Sequence, residues 1–352
     1  MIKELPNCHN NWPGNDFIMA KLIIFFIFFI SCSFLRTPET EMKKSIVRKI
    51  SFWHQFASLP LEKKLLPAMP ELIDYITMDN EKEGFPARPV AVSPDRQFMA
   101  DFVEAINELP DTVRLKMKSK VLAILFVEKL GGSGYTDVVL DEKGQEVSSF
   151  IVFDYGILKN VTANSWASWK ENSAFSMENN FARLKIAEKK DDNRKNALKF
   201  ILLHELGHAF SVGEKIHPSW INSPKKDDAP YSFFDLSWFF NQNKKEYQLK
   251  NAELLPLLHK IKFYTHSLND NLKDRIELYE KLSKSDFPSL YGASGYADDF
   301  AEAFAIYVFN KILKMPYEVT LISEGRTAKV FKSCFEDKRC PLKEKFIQEY
   351  LR

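Results

Sequence analysis

The chain has 352 residues, 45% of them hydrophobic and 27% charged, so it exceeds one average domain and carries enough apolar residues for a sizeable core. Its 49 Lys and Arg against 47 Asp and Glu leave a formal net charge of +2, an overall balance that does not suggest a nucleic-acid partner. Thirty Phe and 12 Tyr argue against disorder.

The stretch Met19 to Ser33, MAKLIIFFIFFISCS, has a basic start at Lys21, an apolar run from Leu22 to Ile30 and a small residue before Cys32. That is the layout of a secretory signal, and the run is shorter than the ~20 apolar residues a membrane-spanning helix needs. Residues 29–32 resemble a bacterial lipobox, with Phe29 where leucine is usual, and the resemblance implies that Cys32 is lipidated. Residues 1–18 are polar, which places the expected true start at Met19. The expectation is a signal over 1–32, a polar tether over 33–44, and an exported, periplasmic or outer-membrane lipoprotein held to the membrane by an N-terminal lipid. The competing reading is an uncleaved anchor.

From residue 45 to 130 apolar residues recur at three-to-four spacing, which predicts a mainly helical N-terminal region running through TVRLKMKSKVLAILFVEKL. Pro67 and Pro70 interrupt it. GGSG at 131–134 breaks the pattern, and TDVVLDEKGQEVSSFIVFDY reads as two strands around a turn at 141–144. A helix follows over KNALKFILLHELGHAFS, with Asp191, Asp192 or Asn193 to cap it and Gly213 to end it. Residues 223–285 are polar and aromatic, then helical, and a strong helix is expected from Tyr296 to Lys314. The predicted fold class is α+β, with the catalytic domain at 131–320. The tail at 321–352 holds Cys334 and Cys340, spaced to close a small disulfide in an oxidising compartment.

The chemistry centres on HELGH. Positions four apart share a helix face, so His204 and His208 can aim two imidazoles at one point, half of a tetrahedral zinc site. Glu205 lies ~100° further round, where it can serve as general base to an activated water without ligating the metal. Gly207 removes a side chain where the helix approaches neighbouring backbone. Against a plain amphipathic helix stand the apolar run Phe200 to Leu203 and a glutamate that would otherwise be a buried charge. For a third ligand, Glu214 lacks the glycine that its spacing calls for, and His217 lies too far along. The better candidates are Asp298 and Glu302, four apart in YADDFAEAFA, with Asp299 read as the one of the three facing solvent.

HELGH followed at a distance by YGASGYADDFAEAFA resembles the gluzincin peptidases, in particular the catalytic domain of anthrax toxin lethal factor and its bacterial relatives. The resemblance spans about residues 195–314 and implies a zincin-like fold. It further implies Zn²⁺ held by His204, His208 and Asp298, Glu302 orienting a histidine or taking the ligand role itself, and Tyr291 as hydroxyl donor to an oxyanion. The group supplies glutamate where this chain has Asp298. The expected activity is zinc-dependent hydrolysis of a peptide or protein substrate. The alternatives are an envelope binding protein that keeps the fold without turnover, and a zinc amidohydrolase acting on cell-wall peptides. In zincins an edge strand pairs with extended substrate, and SSFIVFDY reads either as that strand or as a core strand. PYSFFDLSWFF reads either as a cleft lid or as a buried staple.

Overall fold

The computed structural model describes residues 38–85, 87–175, 181–219, 221–222, 230–251, 258, 261–266 and 271–352. The signal, Met19 and Cys32 lie outside them. Residues Thr37–Arg352 form one compact unit. Its strands in chain order are β1 Leu65–Pro67, β2 Val90–Ala91, β3 Val121–Glu128, β4 Gly134–Leu140, β5 Glu146–Asp154, β6 Ala182–Lys185, β7 Trp238–Asn241, β8 Glu246–Leu249, β9 Glu318–Ser323 and β10 Arg326–Lys332. Its helices are α1 Pro38–Lys44, α2 Ile50–Ala57, α3 Pro70–Glu83, α4 Arg96–Asn107, α5 Asp111–Lys120, α6 Tyr155–Leu158, α7 Ala163–Asn172, α8 Arg194–Ser211, α9 Phe234–Ser237, α10 Leu272–Leu282, α11 Tyr296–Ile306 and α12 Pro341–Tyr350. The fold is mixed α+β.

The central sheet runs β1-β3-β5-β4, with β2 also pairing β3. β1, β3 and β5 are parallel and β4 is antiparallel to β5, leaving β4 at the edge. Side chains alternate across it from Ile124 in β3 and from Phe150 in β5. Ile124, Phe126, Ile151 and Phe153 pack with α4 and α8, while Leu125, Val127, Phe150 and Val152 pack with Trp53 and with Leu72, Tyr75 and Ile76 of α3. A strand covered on both faces reads as an unbroken apolar run. That is the reason VLAILFVE, expected to prolong a helix, is instead β3: α5 ends at Lys120 and the chain turns into the sheet. The N-terminal region is therefore not wholly helical. Residues Leu65–Pro67 also form a strand where a helix was expected, and Pro70 opens α3 at its first turn, where its missing N–H costs nothing. Within the stretch read as tether, Pro38–Lys44 is α1, with Met42 buried.

The hairpin expected around 141–144 is β4 and β5, and SSFIVFDY is a core strand, since β5 lies between β3 and β4. α8 starts at Asn193, whose side chain accepts the amide of Asn196 at 3.0 Å. From Asn196 to Ser211 only His208 is more than marginally exposed, so α8 runs through the middle of the core. The helix expected over 296–314 is α11 followed by a π-helical stretch, Tyr307–Ile312. Phe233, Phe234 and Trp238 are buried, so the aromatic segment is a staple rather than a lid. Cys334 and Cys340 are disulfide-bonded.

Candidate metal centre

α8 and α11 cross at Gly207. A β-carbon there would stand 2.6 Å from Ala301 Cα and 3.1 Å from Ala301 O, so the absence of a side chain sets how closely the two helices meet. This contact brings the first turn of α11 against the last turns of α8. His204 Nε2 and His208 Nε2 lie 3.1 Å apart, and Asp298 Oδ1 lies 3.9 Å from the first and 3.5 Å from the second. Three ligand atoms at ~2.0–2.2 Å from one tetrahedral ion stand about 3.3–3.6 Å from one another, so the observed triangle has the size of a zinc face. Among the described residues it is the one such grouping of three His, Cys, Asp or Glu side chains. Aspartate reaches the triangle despite its shorter side chain. Glu302, one turn further along α11, does not join it.

Glu302 instead lies behind His204. Its Oε1 is 2.9 Å from His204 Nδ1, a close rather than linear approach. Lys170 of α7 donates to the same oxygen at 2.7 Å, and Ser289 donates to Oε2 at 2.7 Å. Burial would raise the pKa of this carboxyl, but the Lys170 ammonium and His204 more than offset that and hold it well below the usual carboxylate range. At Asp298, too, burial is outweighed, here by His208 and His204, so its pKa is lowered. The His208 pKa is raised, since burial opposes the imidazolium less than Asp298 and Glu205 favour it. With the imidazoles neutral, Glu205, Asp298 and Glu302 against Lys170 leave two negative charges in excess, the charge that a divalent cation cancels.

Glu205 faces the edge strand. Thr136 Oγ1 donates to Glu205 Oε2 at 2.6 Å, and a β-carbon on Gly134 would lie 2.8 Å from Glu205 Cδ. β4 thus both holds and makes room for this carboxylate. The side chains open on a cleft of about 510 Å³, bordered by Gly134 to Asp137, His204, Glu205, His208, Tyr291 and Asp298. Met42, Arg48 and Asp79 of the N-terminal region form part of its wall. Tyr291 packs 5.5 Å from the His204 ring and 4.7 Å from Phe263, ring centre to ring centre. Burial, with Asp298 next, pushes its phenol pKa well up, so at neutral pH it is a donor.

His204, Glu205, His208, Asp298, Glu302 and Tyr291 are therefore gathered in one place. Asp299 is corrected: it is fully buried and accepts from Lys343 at 2.7 Å and Trp238 at 3.0 Å. Glu214 pairs with Lys120 at 2.9 Å, and His217 is a core histidine beside Tyr296 and Phe300. Sequence reasoning missed Gly134, Thr136, Lys170 and Ser289. GGSG marked only a break, and a lysine in an amphipathic helix carries no sign of burial. No protein-family model, curated protein or solved structure matches the chain.

Proposed function

We propose that this chain is a zinc-dependent metallopeptidase with a zincin-like catalytic fold, exported and anchored by lipid at Cys32. The observation that carries the reading is the convergence of His204, His208 and Asp298 in a cleft where Glu205 is held beside them by Thr136. When bound, zinc supplies Lewis acidity that brings the pKa of a water toward ~7. Glu205 takes that water's proton and passes it to the leaving amine. Tyr291 donates its hydroxyl hydrogen to the oxyanion formed at the attacked carbonyl. The outer edge of β4, bridged among the described residues by Lys49 at Leu140, offers backbone N–H and C=O groups nearer Gly134 to an extended peptide lying along the cleft. Retention of a general base beside the metal ligands favours turnover over binding alone.

The test is elemental analysis of protein purified without chelator, joined to mass-spectrometric screening of a degenerate peptide mixture and of cell-wall peptides. Wild type should carry near-stoichiometric zinc, and Asp298→Ala should lose it. Glu205→Gln should keep zinc and lose hydrolysis. Hydrolysis of cell-wall peptides alone would select the amidohydrolase reading. No turnover by wild type on any substrate, with zinc bound, would leave a binding protein, and a folded wild type without zinc would remove the metal reading altogether.

A further inference from the structure

Resting on the metal reading of His204, we propose that Lys170 and Ser289 are positioning residues that place the proton of His204 on Nδ1 and so direct its Nε2 lone pair at the metal. Hydrogen-bond accounting around Glu302 leads there. Lys170 Nζ donates to Oε1 at 2.7 Å, and an ammonium has no lone pair with which to accept. Ser289 Oγ accepts the amide of Gly292 at 2.9 Å and donates its own hydrogen to Glu302 Oε2 at 2.7 Å. Both carboxylate oxygens are thus engaged by donors, and Glu302 can only accept. His204 Nδ1 lies 2.9 Å from Glu302 Oε1, off the line of a full hydrogen bond, and beside an oxygen that can only accept, the tautomer with its proton on Nδ1 is the favoured one. A neutral imidazole carries one N–H, so Nε2 is left as the ligand atom.

The Lys170 side chain is 8% exposed, and among the described residues Glu302 is its one hydrogen-bond acceptor. Its remaining sides are covered by the ring face of Tyr291 at 3.9 Å and by Trp166 at 5.7 Å. The same ammonium therefore packs against the proposed oxyanion donor, which ties the orientation of Tyr291 to that of His204.

The experiment measures zinc affinity of the full chain by competition with a chelator, and the His204 tautomer by nitrogen NMR of metal-free protein. Lys170→Met should weaken zinc about 10–100-fold and Ser289→Ala less, as loss of groups behind a metal ligand does. In wild type the imidazole proton should sit on Nδ1, and in Lys170→Met it should shift toward Nε2. Lys170→Arg should restore affinity to within a few-fold. The charge-balanced double variant Lys170→Met/Glu302→Gln should match Glu302→Gln, because Lys170 acts through that carboxylate. This comparison also carries the test if Lys170→Met alone fails to fold. Wild-type affinity in Lys170→Met, or losses that multiply in the double variant, would overturn the proposal while leaving the metal reading intact. A wild type that binds no zinc would overturn both.

Discussion

Gly134 and Gly207 are both glycines for want of room, but the atoms that crowd them differ in kind. At Gly207 the obstacle is the backbone of Ala301, which cannot step aside. Gly207→Ala should force α8 and α11 apart, costing about 1–3 kcal/mol as overpacking does and weakening zinc, read by thermal melting and chelator competition. At Gly134 the obstacle is the mobile end of Glu205. Gly134→Ala should displace that carboxylate, cutting turnover while melting temperature and zinc content stay near wild type. A different single-residue effect comes from His217. Burial lowers its pKa to about 4, against a smaller opposing pull from the Pro218 carbonyl. Between pH 6.5 and about 4 the unfolded chain binds a proton there that the folded chain refuses, so stability falls as pH falls through that window. The loss approaches roughly 3 kcal/mol. Urea unfolding at pH 7 and pH 4.5 should show that slope in wild type and a flatter one in His217→Gln. His204, Glu205 and His208 were legible because helix periodicity alone aligns them. Lys170 and Ser289 were not, because their meaning depends on a carboxylate far away in the chain.

Among the elements, the edge strand β4 decides where Glu205 points, and β4 is itself pinned from the N-terminal side. Arg48 donates to Asp137 Oδ2 at 2.9 Å and to the Tyr75 hydroxyl at 2.5 Å, and Tyr75 and Tyr135 also donate to Asp137. Arg48 and Asp137 are both buried. Arg48→Met would leave Asp137 as an uncompensated buried charge, a loss of about 3–5 kcal/mol, measurable by denaturant titration. The helices before residue 85 thus act on the site through β4 as well as by walling its cleft. α2 and α3 were readable from apolar spacing, as was α8 from its cap and α11 from its acidic-apolar pattern, whereas α1 lay in the polar stretch expected to be a tether. β3 was not, since a short run of apolar residues fits a helix interior and a doubly covered strand equally well until its partners are known. The crossing of α8 over α11 was half legible: the glycine was visible, but Ala301 as its counterpart was not.

Over the whole molecule, the residues that complete the site come from widely separated parts of the chain. Gly134 and Thr136 come from the sheet, Lys170 from α7, the histidines from α8, and Ser289, Tyr291 and Asp298 from beyond the aromatic insert. The last contribution arrives from the C-terminal end. The disulfide between Cys334 and Cys340 closes a loop from which Arg339 donates to the carbonyls of Leu282, Ser285 and Phe287, the segment leading into Ser289. Just beyond it, Lys343 neutralises Asp299, the neighbour of Asp298. α11 and the segment before it are therefore held by Lys343 and Arg339, both more than thirty positions beyond α11, the latter on a loop that an oxidant must lock. Competence would come only after that loop is made and oxidised.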